Sequence, residues 1–524
     1  MSRPDVLIGQ AYFLRFDPKL WAARQPYAPL GALYAAACAR QEGYDVALFD
    51  AMLATSEAEW AATLDRLSPR LAVLFEDSFN YLSKMCLLRM RQAATTMIAA
   101  ARDRGIPVVV AGSDATDHPD LYLDAGADLV ILGEGEQTLL DVLAVFSGRS
   151  ASGVRTIAGL CLRNDAGQLI RTGPREPMRD LDDLPRPAWD LVDVARYRAI
   201  WQRHHGYFSM NLATTRGCPY HCNWCAKPIW GQRYAARSPQ SVAAEIAWLH
   251  ATYRPDHLWI ADDIFGLKPG WIERFAELVR DGVRIPFKAL LRADGVTDVV
   301  ADALAASGCR TAWIGAESGS QRVLDAMEKG IRTDQIAEAT RRLHARGIEV
   351  GFFLQFGYPG ETIDDIQRTR QMVHTCQPDD IGISVAYPLP GTTFYERVKA
   401  QLGSKRNWTD SNDLAPMYAS TYPPEFYRAL HTLMHREFRV RRAVTRAAGV
   451  ARAPLTLSAR AIREIAAGLW HRVRLGAARR RVDRLAVPAG RAASAPALVP
   501  VLTRKAAALP SEPLRHEGWS HALR

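Results

Sequence analysis

Short apolar runs alternate with helix-like stretches over two long parts of this 524-residue chain. A run of four to six apolar residues followed by an amphipathic stretch predicts a strand and its crossover helix. Repeated alternation therefore predicts parallel sheets covered by helices. At this length the chain is too long for one core, and two or three domains are expected.

The first part, residues 1–148, predicts a Rossmann-like (flavodoxin-like) domain with five parallel strands. Every run ends in small or polar residues, and ligands of open α/β sheets bind at those carboxyl ends. Small residues there let a large planar ligand approach the backbone. The predicted strands are Val6–Ile8, Val46–Phe49, Ala72–Phe75, Val108–Ala111 and Leu129–Leu132.

The second part, residues 206–400, contains six strand–helix units and predicts a partial (β/α)6 barrel of the TIM type. Residues 149–205 form a connector with a hairpin turn at Asn164–Gly167. The predicted barrel strands are Asn211–Thr214, His257–Ile260, Phe287–Leu291, Thr311–Ile314, Gly351–Phe356 and Ile381–Val385.

The C-terminal region is basic. Fourteen arginines and three acidic residues lie between Arg436 and Arg484, so the net positive charge of the chain belongs to this region. We expect residues 401–486 to be helical and residues 487–524 to be disordered, because the tail is rich in Ala, Pro and Arg. The rest of the chain has no charge signature of nucleic-acid binding.

Location follows from what the chain does not contain. No apolar run approaches the ~18 residues of a membrane span, and the first residues lack a signal-peptide core, so we expect a cytoplasmic protein.

The basic C-terminal helix is either a solvated helix packed on the barrel or a peripheral contact with an anionic membrane. Five residues fall on one apolar face of that helix: Ile462, Ile465, Ala466, Leu469 and Val473.

Three cysteines, Cys218, Cys222 and Cys225, are packed within eight positions just after a predicted barrel strand. Thiolates bind soft metals and iron–sulfur clusters. Three thiolates in one loop can hold three irons of a [4Fe–4S] cube. The fourth iron is then open to a small molecule. The alternative is structural zinc, which needs four ligands, and His221 is poorly placed to be the fourth. The scattered cysteines are predicted to be reduced and mostly buried: Cys38, Cys86, Cys161, Cys309 and Cys376.

With Trp224 before the last cysteine, this loop resembles the C-x-x-x-C-x-aromatic-C signature of the radical S-adenosylmethionine (SAM) superfamily. The resemblance implies a cluster that donates one electron to SAM. A protein such as flavodoxin or ferredoxin is implied to supply that electron. Cleavage then gives methionine and a 5′-deoxyadenosyl radical, which abstracts hydrogen from unactivated C–H bonds.

Further segments resemble SAM-contacting motifs of this superfamily. Asp262 and Asp263 stand in a D-D-x-F segment and are implied to accept hydrogen bonds from the SAM ammonium, with a helix N-cap as the alternative. Arg292 is expected to meet the SAM carboxylate or a neighbouring acid. Glu317 and Ser318, in a G-x-E-S segment, are implied contacts of the ribose or methionine, or else structural.

The segment 357–362 resembles the G-x-P-G-E-T turn of the family. Gly357 and Pro359 are implied to lie near the adenine, and the glycine allows a close backbone approach. Glu361 and Thr362 are instead expected to cap the next helix.

The first domain resembles cobalamin-binding domains that are fused to radical SAM barrels. The implied cobalamin contacts are Gly112, Ser113, Thr116, Gly133, Glu134, Gly135 and Glu136. The D-x-H-x-x-G signature, whose histidine ligates cobalt in other cobalamin proteins, is absent, and Gly112-Ser113-Asp114 stands where relatives often show G-G-P. The alternative is a flavodoxin-like domain that no longer binds cobalamin.

Segments 408–410 and 424–427 are similar to the branch that includes the anaerobic magnesium-protoporphyrin monomethyl ester cyclase and several methyltransferases. The resemblance implies an enzyme that uses a [4Fe–4S] cluster, SAM and cobalamin to methylate an unactivated carbon of a small or lipid-like substrate. Two alternatives stay open: an oxidative cyclase or rearrangement enzyme with the same cofactors, and a non-catalytic cobalamin or redox sensor. No motif identifies a general acid or base.

Overall fold

The structure is a computed structural model that describes residues 3–79, 87–452 and 458–487. It contains two large sheets, one in each part of the chain where apolar runs alternate with helices. The predicted α/β class, with a Rossmann-like domain, a partial barrel and a helical C-terminal region, is confirmed. The predicted disordered tail from residue 488 onward and Cys86 lie outside the described residues.

Seven strands form the N-terminal sheet: β1 Val6–Gly9, β2 Val46–Phe49, β3 Leu71–Phe75, β4 Val108–Ala111, β5 Leu129–Ile131, β6 Leu160–Arg163 and β7 Leu169–Arg171. Their order is β2-β1-β3-β4-β5-β6-β7, with β1 to β5 parallel. The order reverses between β1 and β3, which is where ligands bind in doubly wound sheets. The hairpin β6–β7, expected in the connector, extends this sheet antiparallel to β5.

Helices cover both faces of this sheet because its strands are apolar on both sides. They are α1 Pro18–Ala23, α2 Leu30–Gln41, α3 Ala58–Leu67, α4 Leu88–Arg102, α5 Ser113–Asp117, α6 Pro119–Asp124 and α7 Glu136–Phe146. α2 and α7 pack on one face, and α3 and α4 pack on the other. A connector helix, α8 (Val194–His205), leads to the second sheet.

Six parallel strands form the barrel sheet: β8 Ser209–Leu212, β11 His257–Ile260, β12 Phe287–Leu291, β13 Cys309–Glu317, β14 Glu349–Phe356 and β15 Asp380–Val385. Their order is β15-β14-β13-β12-β11-β8, so each strand lies beside the next one along the chain. Two short strands, β9 (Thr215–Arg216) and β10 (Ala235–Ala236), pair antiparallel and close the base of the cysteine loop.

The barrel helices are α9 Pro239–Tyr253, α10 Trp271–Asp281, α11 Asp298–Ser307, α12 Gln321–Ala326, α13 Thr333–His344, α14 Ile363–Cys376 and α15 Thr393–Val398. The strands alternate between side chains that pack against these helices and side chains on the opposite face. In β12, for example, Phe287, Ala289 and Leu291 are buried and the two residues between them are only half-buried.

The C-terminal region is a hairpin of two long helices, α16 (Pro424–Arg452) and α17 (Ala459–Leu485). An ion pair of 2.7 Å between Arg370 and Glu437 joins α16 to the barrel. The apolar face predicted on α17 points outward, since Leu469 is 62% exposed and Val473 is 81% exposed. In the described ranges, no helix is long and apolar enough to cross a membrane.

Candidate active site

The cysteine loop runs from β9 to β10 and is fixed to the barrel by a residue that no motif marks. Asn223 donates its backbone N–H to the Met327 carbonyl (3.0 Å) and its side-chain amide to the Ala326 carbonyl (2.8 Å). Its amide oxygen accepts a hydrogen bond from the Tyr358 hydroxyl (2.9 Å). These bonds hold the middle of the loop, between Cys222 and Trp224, against the segments that follow β13 and β14.

The three loop cysteines are free thiols and half-buried. Burial raises the pKa of Cys225 to about 12 and also raises the pKa of Cys218. Within the described ranges, no three His, Cys, Asp or Glu side chains converge on one point as ligands of a single ion would. A [4Fe–4S] cube offers a separate iron to each thiolate, so its ligands need not converge. Three free thiols in one fixed loop therefore fit such a cluster.

Asp262 is bonded to the segment that leads into the cysteine loop. One carboxylate oxygen accepts the backbone N–H groups of Thr214 (2.7 Å) and Thr215 (3.0 Å), and the other accepts the Thr214 hydroxyl. Burial raises the pKa of Asp262 to about 6, although these bonds lower it. β8 ends at Leu212, two residues earlier than the sequence predicts, and Thr214 lies beyond the strand, where it bonds to Asp262.

Asp263 lies near Cys225 and Cys218, where its charge contributes to the raised pKa of both thiols. The next helix begins at Trp271. Neither Asp262 nor Asp263 therefore acts as the helix N-cap that was the alternative prediction. Their contact with SAM stays a prediction.

Arg292 meets a neighbouring acid, one of its two predicted partners. Its guanidinium donates two hydrogen bonds to Asp294 (3.0 and 2.9 Å) and one to the Lys329 carbonyl (3.1 Å). It also stacks on Tyr220 of the cysteine loop, with 3.6 Å from the guanidinium carbon to the ring centre. Arg292 thus links the end of β12 to the loop, and its contact with SAM stays a prediction.

Glu317 forms a buried ion pair with Lys329, 2.9 Å from Nζ to Oε1. Burial would lower the pKa of Lys329, but the carboxylate more than offsets this and raises it. The backbone of Glu317 is left-handed (φ 56°), which is rare outside glycine and marks stored strain. Lys329 belongs to none of the motifs, and only its position beside the end of β13 reveals it.

The remaining barrel candidates are bonded within the protein. Ser318 shares a hydrogen bond with the Thr369 hydroxyl (3.1 Å), and its oxygen accepts the Ser320 N–H (3.1 Å). Gly357 has φ 79° and donates its N–H to Glu361 (2.6 Å). The half-buried Pro359 follows two residues later.

The expected helix cap after this turn is half correct. Thr362 caps α14, where its hydroxyl accepts the Asp365 N–H (3.4 Å). Glu361 does not cap the helix and instead accepts the Gly357 N–H.

A cavity opens at the carboxyl edge of the N-terminal sheet, and its empty space is about 300 Å³ when the part open to solvent is included. Its lining includes Glu76 and three of the predicted glycines, Gly112, Gly133 and Gly135. A Cβ added to Gly112 would lie 2.6 Å from the Glu76 Cβ, so glycine there forms a cradle that any side chain would fill.

Two buried polar atoms beside this cradle have no partner among the described residues: Oε2 of Glu76 and Oγ of Ser113. Burial raises the pKa of Glu76 to about 8, with a further increase from Asp77 and Asp114. Unpaired polar atoms and a glycine cradle fit a large ligand rich in amides, such as cobalamin. Within the described part of the chain, none of the residues that line the cavity is a histidine.

The other predicted cobalamin contacts bond to the protein. Thr116 accepts the Gly133 N–H (3.1 Å). Glu134 and Glu136 both pair with Arg216, at 2.6 Å for Glu136. Sequence motifs place these glutamates at the right edge of the sheet but do not show that their charges are already paired.

Family models match two parts of the chain. The model described as the radical SAM superfamily matches residues 212–373, and the model described as the B12 binding domain matches residues 22–143. The chain therefore carries a radical SAM domain and a B12-binding domain. Its cofactors are therefore a [4Fe–4S] cluster, SAM and cobalamin, which confirms the three that the sequence predicts.

Two curated relatives of this radical SAM protein cover most of it. An uncharacterized methyltransferase of Pyrococcus horikoshii is 27% identical over 74% of this chain and 82% of its own length. The anaerobic magnesium-protoporphyrin IX monomethyl ester cyclase of Synechocystis is 26% identical over 70% of this chain and 72% of its own length.

Solved structures support the fold. The radical SAM methyltransferase TsrM of Kitasatospora setae, with cobalamin and a [4Fe–4S] cluster bound, has a TM-score of 0.62. It is 20% identical, and the match covers 76% of this chain and 78% of that one. The cobalamin-dependent radical SAM enzyme OxsB, with aqua-cobalamin bound, has a TM-score of 0.67 at 17% identity, over 84% of this chain and 68% of that one.

Proposed function

We propose that this cobalamin-dependent radical SAM enzyme methylates an unactivated carbon of a small or lipid-like substrate. The observation that carries the proposal is a shared wall: Ile229 and Trp230, which follow Cys225 by four and five residues, line the cavity of the N-terminal domain. The two cofactor sites therefore adjoin, as transfer of a methyl group to a substrate radical requires. Methyltransferases among the relatives add support.

When bound, the cluster and SAM supply a 5′-deoxyadenosyl radical, and cobalamin supplies a transferable methyl group. We assign Cys218, Cys222 and Cys225 as the cluster ligands. Asp262 and Asn223 orient their loop through the hydrogen bonds described above. Arg292 and the Glu317–Lys329 pair present charges of both signs at adjacent strand ends, which suits the zwitterionic methionine part of SAM.

A second candidate is an oxidative cyclase with the same cofactors. Similarity to the Synechocystis cyclase over 70% of the chain favours it, because that match is nearly as long as the match to the methyltransferase. The two functions differ in their products, since methyl transfer consumes a second SAM and releases S-adenosylhomocysteine.

Anaerobic reconstitution with iron, sulfide and hydroxocobalamin tests the proposal. We expect iron–sulfur absorption and a spin signal after reduction, and 5′-deoxyadenosine from SAM under dithionite. Cys222→Ala should abolish all three, whereas Cys309→Ala, at a buried cysteine in β13, should leave them unchanged. Cell extract supplies the unidentified substrate. If S-adenosylhomocysteine forms only when extract is present, the enzyme methylates. If a substrate is consumed and no S-adenosylhomocysteine forms, the enzyme is the cyclase.

Two partner assignments belong to the proposal. Reduced flavodoxin or ferredoxin is the proposed electron donor, and it should replace dithionite in the SAM cleavage assay. The second assignment is peripheral contact of α17 with an anionic membrane. Its support is the outward apolar face with Leu469, Trp470 and Val473, flanked by exposed arginines at 472 and 474.

Co-sedimentation with vesicles tests the membrane contact. Full-length protein should bind vesicles with a quarter phosphatidylglycerol and not pure phosphatidylcholine vesicles. The double change Trp470→Glu and Val473→Glu should abolish binding. Val299→Glu, at a residue 62% exposed on α11, is the matched control and should bind as wild type does. Equal binding of all three proteins would count against the contact.

A further inference from the structure

Arg216 joins the two domains from inside the protein. It lies in β9, two residues before Cys218, and its side chain is 4% exposed. One guanidinium nitrogen donates to Glu134 and another donates to Glu136 (2.6 Å). Glu134 lies between β5 and α7, Glu136 is the first residue of α7, and this segment borders the N-terminal cavity. A single side chain beside the cluster ligands is thus bonded to two carboxylates of the other domain.

The walls around this guanidinium are also walls of the cavity. The rings of Tyr34, Phe79 and Trp230 lie 5.7, 5.8 and 5.9 Å from its central carbon. Phe79 and Trp230 line the cavity, together with Glu136. A shift of the cysteine loop therefore moves the ion triad and two aromatic walls of the cavity with it.

The charges of the triad depend on one another. Burial raises the pKa of Glu134, and Arg216 opposes this increase. Burial would lower the pKa of Arg216, but the two carboxylates raise it. Apolar packing stabilises a fold as well as a buried triad does. What the triad adds is geometry, because the planar guanidinium holds two acceptors in a fixed fork.

We propose that the Arg216–Glu134–Glu136 triad is a positioning device that couples the cysteine loop to the cobalamin cavity. Binding of the cluster or of cobalamin fixes the position of the triad, and the triad in turn borders the other site. A loaded cluster therefore tightens cobalamin binding, and bound cobalamin changes the surroundings of the cluster. Such coupling is reciprocal by thermodynamic necessity. The inference rests on the two cofactor sites assigned under the proposed function.

Cobalamin titration of two forms of the full chain tests this. Hydroxocobalamin affinity is measured by absorbance for the anaerobic cluster-loaded protein and for the same protein stripped of iron by a chelator. We expect the loaded form to bind at least about fivefold tighter. In Arg216→Lys and Glu136→Gln, the ratio of the cobalamin affinity of the loaded form to that of the stripped form should fall to about one. Lysine keeps the charge but loses the fork, so it serves as the milder variant.

Glu245→Gln is the matched control, because it disrupts the buried ion pair of Arg237 with Glu245, which lies within the barrel domain. This variant should keep the wild-type ratio even if it unfolds more easily. A second readout is the spin signal of the reduced cluster. Adding hydroxocobalamin should shift that signal in wild type and in Glu245→Gln but not in Glu136→Gln.

Three results would overturn the inference. A wild-type ratio of one, or the wild-type ratio in both triad variants, removes the coupling role while leaving both cofactor sites in place. A wild-type chain that takes up neither cluster nor cobalamin overturns the proposed function and this inference with it.

Discussion

Replacing Gly112 with alanine tests the cobalamin cradle directly. Gly112 connects β4 to α5 with φ 148° and ψ 176°, a conformation that is essentially restricted to glycine. A Cβ at this position would lie 2.6 Å from the Cβ and 3.0 Å from the Cγ of Glu76. Alanine therefore strains the backbone and displaces a buried carboxyl group at the same time.

The two effects have separate magnitudes. A non-glycine residue in this backbone region costs about 1–3 kcal/mol, and overpacking a tight contact adds about 1–3 kcal/mol. Gly148 is the matched control, because it has φ 73° and nothing within 4 Å of an added Cβ. Gly148→Ala therefore costs only left-handed strain, about 1–2 kcal/mol. The excess at Gly112 comes from the contact with Glu76.

Two assays separate the effect of the substitution on stability from its effect on cobalamin binding. Urea denaturation of the protein without cofactors should give a lower unfolding free energy for Gly112→Ala than for Gly148→Ala. Titration with hydroxocobalamin should show at least about a tenfold loss of affinity, about 1.4 kcal/mol, for Gly112→Ala only. The reasoning fails if both variants lose the same stability, or if Gly112→Ala binds cobalamin as wild type does.

Three other changes probe single contacts. Burial raises the pKa of Glu76 to about 8, so its carboxyl group is protonated in the folded chain below pH ~8. In the unfolded chain the same group is ionised above pH ~5. It therefore costs wild type about 1.4 kcal/mol of stability per pH unit between pH ~5 and ~8, and Glu76→Gln should remove that slope in denaturation curves at several pH values. Asp262→Asn replaces the carboxylate oxygen that accepts the Thr214 hydroxyl with an amide NH2 group, so this charge-assisted bond is lost. The variant should lose about 1.5–3 kcal/mol and bind less iron per chain, measured by denaturation and iron analysis. Gly468→Ala places a methyl group against Ala443 and should cost about 1–3 kcal/mol; stability should return in the swap with Ala443→Gly.

The elements that were predictable are those whose signal is local. The apolar runs at β2, β4, β11 and β12 coincide with the strands, because each of these strands buries apolar side chains on at least one face of its sheet. The cysteine motif is equally local, because one loop carries all three thiols. The four segments with predicted SAM contacts are readable because each ends a strand, and parallel strands bring their carboxyl ends to one edge.

The orientation of the apolar face on α17 was not readable. A period of 3.6 residues shows that Leu469 and Val473 share a face, but not what covers that face. The structure packs the opposite side of the helix, near Gly468 and His471, against α16. The arginines that make this hairpin basic gave no indication of which side would be buried.

Long-range pairing decided the rest of the site. Arg216 meets Glu134 across 82 residues of chain, and Tyr358 meets Asn223 across 135. A charged or amide side chain has several acceptors of suitable chemistry in any sequence, and only burial selects among them by removing water as a competitor. The cysteine spacing and the resemblance to known motifs therefore indicated the cofactors, while packing determined which side chains hold their loops in place.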